Sequence, residues 1–244
     1  MAIDLDALRK KHEQLSNSGK KSDDFINNFV KLEDGDNLLR ILPPKEDDQE
    51  FYAETKIHRV PTGEEDNVRN FHCRRVQDEA CPLCDLYFAL WKTGRKEDEA
   101  LARVIKPRSR YYMNVIDRAS GEVKILSVGV ILFKKITGAI LDPDYGDITD
   151  LKTGHDFKIH KEMEGGWPKY DQSAPRPKST PTGKPKEVAE ALDTLHDIYA
   201  LVKHEEYDTI KEAASGLMGL DIEPKEDTEE EETTSEDYLD KLKS

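Results

Sequence analysis

The sequence predicts a mainly β fold with added helices (α+β): a small Greek-key barrel carrying an inserted metal-binding unit and closed by C-terminal helices. Three observations predict it. Strand-like runs come in pairs joined by polar, glycine-containing turns. Their connections are short and irregular rather than a regular strand–helix alternation. Three cysteines, all that the chain has, lie within the twelve residues Cys73–Cys84 and mark a compact unit organised by an ion. A chain of 244 residues allows one large or two small domains.

Residues 1–24 read as a short amphipathic helix, with Leu5, Leu8 and Leu15 on one side and Arg9-Lys10-Lys11 beside it, broken at Ser16-Asn17-Ser18-Gly19. Phe25–Leu32 and Asn37–Leu42 are strand-like, and Glu33-Asp34-Gly35-Asp36 between them predicts a hairpin. Pro43-Pro44 ends the second run. Phe51–Val60 alternates as a third strand that delivers His58 near its end. A helix runs from Pro82 through Lys92 with Leu86 and Leu90 on one face, Phe88 and Trp91 being read as core, and a more charged helix covers 95–105. Arg110–Asp117 and Glu122–Val130 form a second hairpin around Arg118-Ala119-Ser120-Gly121. Ile131–Ile140 is read as a helix and Asp156–Met163 as a strand. Four prolines in residues 171–186 make a loop. Val188, Leu192, Leu195, Ile198 and Val202 recur at helical spacing, so Lys186–Val202 is read as one helix, followed by a last one over Tyr207–Met218.

The cysteine cluster carries the first chemical argument. In Cys81-Pro82-Leu83-Cys84 two thiolates two residues apart can face one ion from a tight turn, and Cys73 supplies a third sulfur. A tetrahedral zinc site then needs one borderline ligand, most naturally an imidazole. His58, returning through a hairpin, fits this role. His72 is the alternative, though adjacent residues rarely both reach one small ion. A redox Cys-x-x-Cys would want a βαβ context that is absent here, and three is an odd number for a disulfide scaffold. The predicted metal set is therefore His58, Cys73, Cys81 and Cys84, holding one structural Zn2+.

Charge carries the second argument. The net charge is −14, which taken alone speaks against a polyanionic partner. Its distribution reverses that: residues 223–244 hold ten acidic and three basic side chains, whereas Val104–Lys135 holds seven basic and two acidic. The acidic end cannot bury enough apolar area to offset chain ordering, so 223–244 is expected to be a disordered tail. No apolar run is long enough for a bilayer and the start is not that of a signal peptide, which predicts a soluble intracellular protein.

In the basic middle, cations and aromatics interleave: Lys106, Arg108, Arg110 and Tyr112 share one strand parity, with Tyr111 between them. Lys124, Lys134 and Lys135 follow, and Trp167, Lys169 and Tyr170 repeat the combination. Phosphates need cations and unstacked bases need flat π-faces, so these eleven residues are the candidate DNA-binding set. Aromatics on a strand also serve its core, and that reading stands beside the functional one for either tyrosine. A duplex sequence reader would want a basic recognition helix, whereas the helices here are acidic or mixed.

The order of features resembles that of the T-even-type phage single-stranded DNA-binding (helix-destabilising) proteins. It runs from Leu39-Arg40-Ile41-Leu42-Pro43, through His58, Cys73 and Cys81-Pro82-Leu83-Cys84, to Arg110-Tyr111-Tyr112-Met113-Asn114, Trp167-Pro168-Lys169-Tyr170-Asp171, a C-terminal helix pair and the acidic tail. The resemblance implies an oligonucleotide-binding (OB) barrel with a zinc subdomain, also the plainest candidate from the strand pattern. It implies coating of single-stranded DNA in phage replication, recombination and repair, self-association along DNA, and a tail that recruits replication and recombination proteins, all in the cytoplasm of an infected bacterium. The spacing of the metal ligands and the weakly basic arm depart from the family pattern. The expected organisation is a basic arm at 1–24 and a DNA-binding core at 25–222, with its zinc subdomain at about 56–92 and helices at about 186–218. The tail at 223–244 completes it. A zinc-knuckle adaptor of a replication complex is the alternative. A zinc-dependent nuclease or deaminase would need an open metal position and a nearby base, whereas the ligand set is full and His58 is followed by Arg59-Val60, not by the x-Glu of a deaminase motif.

Overall fold

The computed structural model describes residues 26–46, 48–62 and 68–217; the arm at 1–24 and the tail at 223–244 lie outside them. Among the described residues a mostly antiparallel eight-stranded sheet curls into a half-barrel, accompanied by five α-helices. The strand path is β3 (Val68–His72), β2 (Tyr52–Pro61), β4 (Arg108–Asp117), β1 (Gly35–Ile41), β6 (Phe157–Glu164) and β7 (Trp167–Lys169). Off this path, β5 (Val123–Val128) pairs with β4 and β8 (Ala174–Pro175) pairs with β6. The result is the OB-like barrel that the strand pattern predicts, with the unit that carries the three cysteines added to it.

Strand β4 organises the rest. Along one edge it pairs first with β2, Arg108 to Met113, and then with β1, Val115 to Asp117, while β5 takes the other edge. The break falls at Asn114, whose carbonyl accepts from the Leu42 N–H as β1 gives way. One strand shared by two successive partners is how a sheet turns its corner into a barrel. Tyr111, Met113 and Val115 point to the inner face with Leu39, Ile41, Leu126, Phe157 and Ile159. Helix α3 (Val130–Leu141) closes that core with Leu132, Ile136 and Ala139.

A second core belongs to the metal unit. Helices α1 (Pro82–Thr93) and α2 (Lys96–Ile105) pack Leu83, Leu90, Leu101 and Ile105 around the cysteines. Helix α5 (Tyr207–Gly216) inserts Ile210 and Ala214 into the same core.

The structure corrects two readings. Residues 25–32 are no strand of β1: among the described part, Phe29 makes an isolated bridge to Ile125, with the Val30 N–H donating to the Ile125 carbonyl and the Ile125 N–H to that of Asn28. The segment lies beside β5, because both edges of β1 are taken by β4 and β6. The helix expected over Lys186–Val202 is in fact α4 (Pro185–Asp193), a break, and a 3-10 turn at Tyr199–Val202. Apolar spacing continues through the break because Leu195 and Ile198 still face the sheet, but Asn114 captures the backbone of His196. Strand β3 adds an element that the sequence left unread.

Candidate metal centre and nucleic-acid interface

The β2–β3 hairpin pairs His58 with Phe71 and Ile57 with His72, so the chain re-enters beside His58 and then presents Cys73. The Cys73 N–H donates to the Lys56 carbonyl at 2.7 Å, fixing that cysteine against β2. A 3-10 turn at Arg74–Gln77 and the left-handed Asp78 return the chain to Cys81, the N-cap of α1. Pro82 opens the helix, where its missing N–H costs nothing, and Cys84 falls in the first turn. The Cys-Pro-Leu-Cys run is thus a helix N-terminus, whose dipole favours thiolate.

Four donors converge: one nitrogen of His58 and the sulfurs of Cys73, Cys81 and Cys84, all buried and all within 4.8 Å of one another. Cys73 Sγ lies 3.4 Å from Cys84 Sγ, and His58 Nε2 lies 3.6 Å from Cys81 Sγ and 3.5 Å from Cys84 Sγ. Ligand bonds of tetrahedral zinc place sulfurs about 3.8 Å apart and sulfur and nitrogen about 3.6 Å apart. The cluster fits that geometry. His58 Nδ1 donates to the Ile105 carbonyl at 2.7 Å, which orients the ring with Nε2 aimed at the sulfurs.

Burial opposes a charge on His58, but the Cys73 and Cys81 sulfurs outweigh it and push the imidazole up to about 9. Hydrogen bonds from Cys73 and Cys84 push the Cys81 thiol down, while the same crowding pushes Cys84 up. Three sulfurs this close need a cation to be thiolates together. His72 turns away: its Nδ1 is 3.1 Å from Thr55 Oγ1 and burial lowers its pKa. The arrangement can hold one metal ion with four protein ligands.

The candidate DNA-binding residues fall into two groups. Lys106 caps α2 and leads into β4, where Arg108 and Arg110 are half-buried. Tyr111 and Tyr112 are 8% and 7% exposed and point to opposite faces. The Tyr111 ring stacks on Phe133 of α3, with centroids 3.7 Å apart and 2° between planes, and its hydroxyl donates to Glu54. Tyr112 packs with Phe29, Ala53, Ile125 and Ile198. Lys124 pairs with Glu122 at 3.2 Å, Lys135 Nζ donates to the Asp171 carbonyl, and Lys134 is exposed on α3. The other group is on β7: Trp167 is 41% exposed, Lys169 is exposed, and Tyr170 packs on the barrel core. β7 lies three ladder steps from β4, about 14 Å.

Further aromatic surface escaped the sequence reading. Tyr52 contacts Phe133 at 4.7 Å, extending the Tyr111 stack. On α1, Tyr87 stacks on Trp91 at 6.3 Å, with the Arg103 guanidinium 6.0 Å above Trp91. Helical spacing marks Tyr87 and Trp91 as neighbours four residues apart, but nothing in it says that Trp91 stays exposed. Between the two cores β2 changes character: Tyr52 belongs to the barrel and His58 and Val60 to the metal unit, whereas Glu54 is exposed and Lys56 half-buried. Opposite Glu54 and Lys56 on β4 lie Tyr111 and Ser109.

A family described as gp32 DNA binding protein like matches residues 33–220. Among curated proteins, none matches the chain.

Proposed function

From a chain that belongs to the gp32-like DNA-binding family, we propose a protein that coats single-stranded DNA without sequence preference in phage replication, recombination and repair. One structural Zn2+, held by His58, Cys73, Cys81 and Cys84, organises the metal unit. The observation that carries the single-strand reading is the exposed Trp167 beside the exposed Lys169 on a strand, with half-buried Arg108 and Arg110 on β4 and no basic helix shaped for a major groove among the described residues. Phosphates meet Lys106, Arg108, Arg110, Lys134 and Lys169, with Lys124 and Lys135 at the margin. Bases stack on the exposed Trp167, which Tyr170 follows in the chain, while Tyr111 acts from within the Tyr52–Phe133–Tyr111 cluster. Tyr112 supports β4 from beneath.

The sequence-tolerant stack supplies about 1–3 kcal/mol per base, and the cations supply salt-dependent affinity through counterion release. The metal is structural because four side chains complete a tetrahedron and leave no position for a reactive water. Self-association along DNA and recruitment of replication and recombination proteins by the acidic tail complete the proposal, in the cytoplasm of the infected bacterium. No helix among the described residues is long and apolar enough to cross a membrane.

Titrating intrinsic fluorescence with poly(dT) and with a duplex at two salt concentrations tests this. Tight, salt-sensitive binding of the single strand and much weaker binding of the duplex is the expected result. No binding to either would leave the metal unit as a protein–protein adaptor.

A further inference from the structure

Beside β6 lies a groove of about 550 Å3 lined by Lys158, Arg176 and Lys178, with Asp36, Pro175 and Pro177 completing its walls. The register ties it to the β7 hairpin. Lys158 pairs with Ala174 of β8, and further along β6 Glu162 pairs with Lys169 and Glu164 with Trp167. Directly paired side chains share a face and alternate residues along a strand share it too. Lys158, Trp167 and Lys169 therefore belong to one face of the sheet, the groove at one end and the exposed indole at the other.

The charges in the groove are not mutually cancelled. Asp36 is engaged by His160 Nδ1 at 2.5 Å and by Lys158 at 3.5 Å. Arg176 and Lys178 are exposed, and among the described residues neither has an ion-pair partner. They are also held in place. The Arg176 N–H donates to the Asp156 carbonyl at 2.7 Å, the Arg176 carbonyl accepts from His155 Nδ1 at 2.8 Å, and the Thr180 N–H donates to the Gly154 carbonyl at 3.1 Å. Pro175 and Pro177 fix φ on either side of Arg176. A backbone so bonded offers two cations two residues apart, about 6 Å along an extended chain, near the separation of successive phosphates in a stretched single strand.

We propose that this groove is a second phosphate track, which takes the backbone of the same single strand as it leaves the Trp167–Lys169 hairpin and so lengthens the binding site. This rests on the single-strand reading above. A nucleic-acid backbone is favoured over an acidic peptide because the track is continuous with a ring on which a base can stack.

The test uses the full-length protein, an Arg176→Ala/Lys178→Ala double variant and oligo(dT) of increasing length at 50 and 200 mM salt. Both positions are exposed, and melting curves check that the fold is retained. The variant should match wild type on the shortest oligomer that binds and lose the gain on longer ones. Its log–log salt slope should fall by about 1.4, two contacts at about 0.7 each, so wild-type affinity drops about sevenfold more than the variant's between the two salts. Equal slopes and equal length dependence overturn the track while leaving single-strand binding intact. Loss confined to binding of a poly-glutamate peptide also overturns it, in favour of a peptide site. Wild type that binds no oligo(dT) at any length instead removes the single-strand reading itself.

Discussion

The Asn114 side chain closes on both backbone groups of His196, donating to its carbonyl at 3.0 Å and accepting from its N–H at 2.9 Å. A residue at the corner of the barrel thereby does for one loop residue what a helix would do for its own backbone. The helix that apolar spacing would continue stops at Asp193. Asn114→Ala removes both bonds at a nearly buried position, a cost of about 2 kcal/mol. Melting should fall by about 4–8 °C in a chain of this size, and Asn114→Asp should not restore it, because a carboxylate repels the His196 carbonyl. An unchanged melting temperature for Asn114→Ala would remove this explanation of the break.

The metal core also holds the C-terminal helix, since Ile210, Ala214 and Leu217 are buried among the residues that surround the cysteines. Metal analysis of the purified protein should find one zinc. Cys81→Ser or chelation should lower thermal stability and raise hydrogen exchange in 68–93 and 207–217, while β1 and β4 keep their protection. Thiolates bind the ion, so falling pH should release it. Uniform loss of protection across barrel and metal unit would show that the barrel does not stand without the ion.

Asp150 gives a separate acid signature. Its Oδ1 accepts from the Thr153 N–H at 2.7 Å, from the Thr153 hydroxyl at 2.8 Å and from the Lys152 N–H at 2.9 Å, and these bonds hold its pKa down at about 2. A depressed folded-state pKa contributes stability that is present above the unfolded value, about 3.9, and is lost as pH falls through about 2. Thermal melts should therefore show Asp150→Ala less stable than wild type at neutral pH, with the gap narrowing between about pH 4 and 2. A gap that does not change with pH would assign the loss to packing.

Much of the barrel was legible because its signals are local. The alternation in β2, β4 and β5 and the Arg118–Gly121 turn are properties of short windows. The His58 and cysteine set was legible because zinc chemistry restricts ligand type and number. What escaped was set by distant partners. Residues 25–32 carry a strand's composition, yet β1 has both edges occupied. Tyr111 and Tyr112 look like an exposed aromatic pair, but a strand sends them to opposite faces, and both faces here are covered, by Phe133 on one side and Ile198 on the other. The cationic groove escaped because Arg176 and Lys178 meet Lys158 only through the pairing of β6 with β8.

The two groups of candidate contacts should separate in salt titrations. Arg110→Ala should flatten the log–log slope by about 0.7. Trp167→Ala should weaken single-strand binding by about 1–3 kcal/mol at every salt with little change in slope. Tyr112→Ala should act mainly on stability, since its ring packs on Phe29, Ala53 and Ile198. Should Trp167→Ala bind like wild type, the hairpin is no stacking platform.

The acidic tail offers the last test. Its ten carboxylates against three basic residues form a polyanion covalently attached to a chain whose Val104–Lys135 stretch holds seven basic and two acidic side chains. A tethered competitor acts at a high effective concentration without needing high intrinsic affinity. Tyr238, Leu239 and Leu242 give its end an apolar grip that a mere solubiliser would not need. Truncation after Ile222 should therefore tighten single-strand binding at low salt and help the protein melt duplex. The advantage should shrink as the Debye length falls from about 30 Å at 0.01 M to about 3 Å at 1 M salt. Equal binding by truncated and full-length protein at low salt would show that the tail does not compete for the DNA site, and would leave it the recruiting or solubilising role alone.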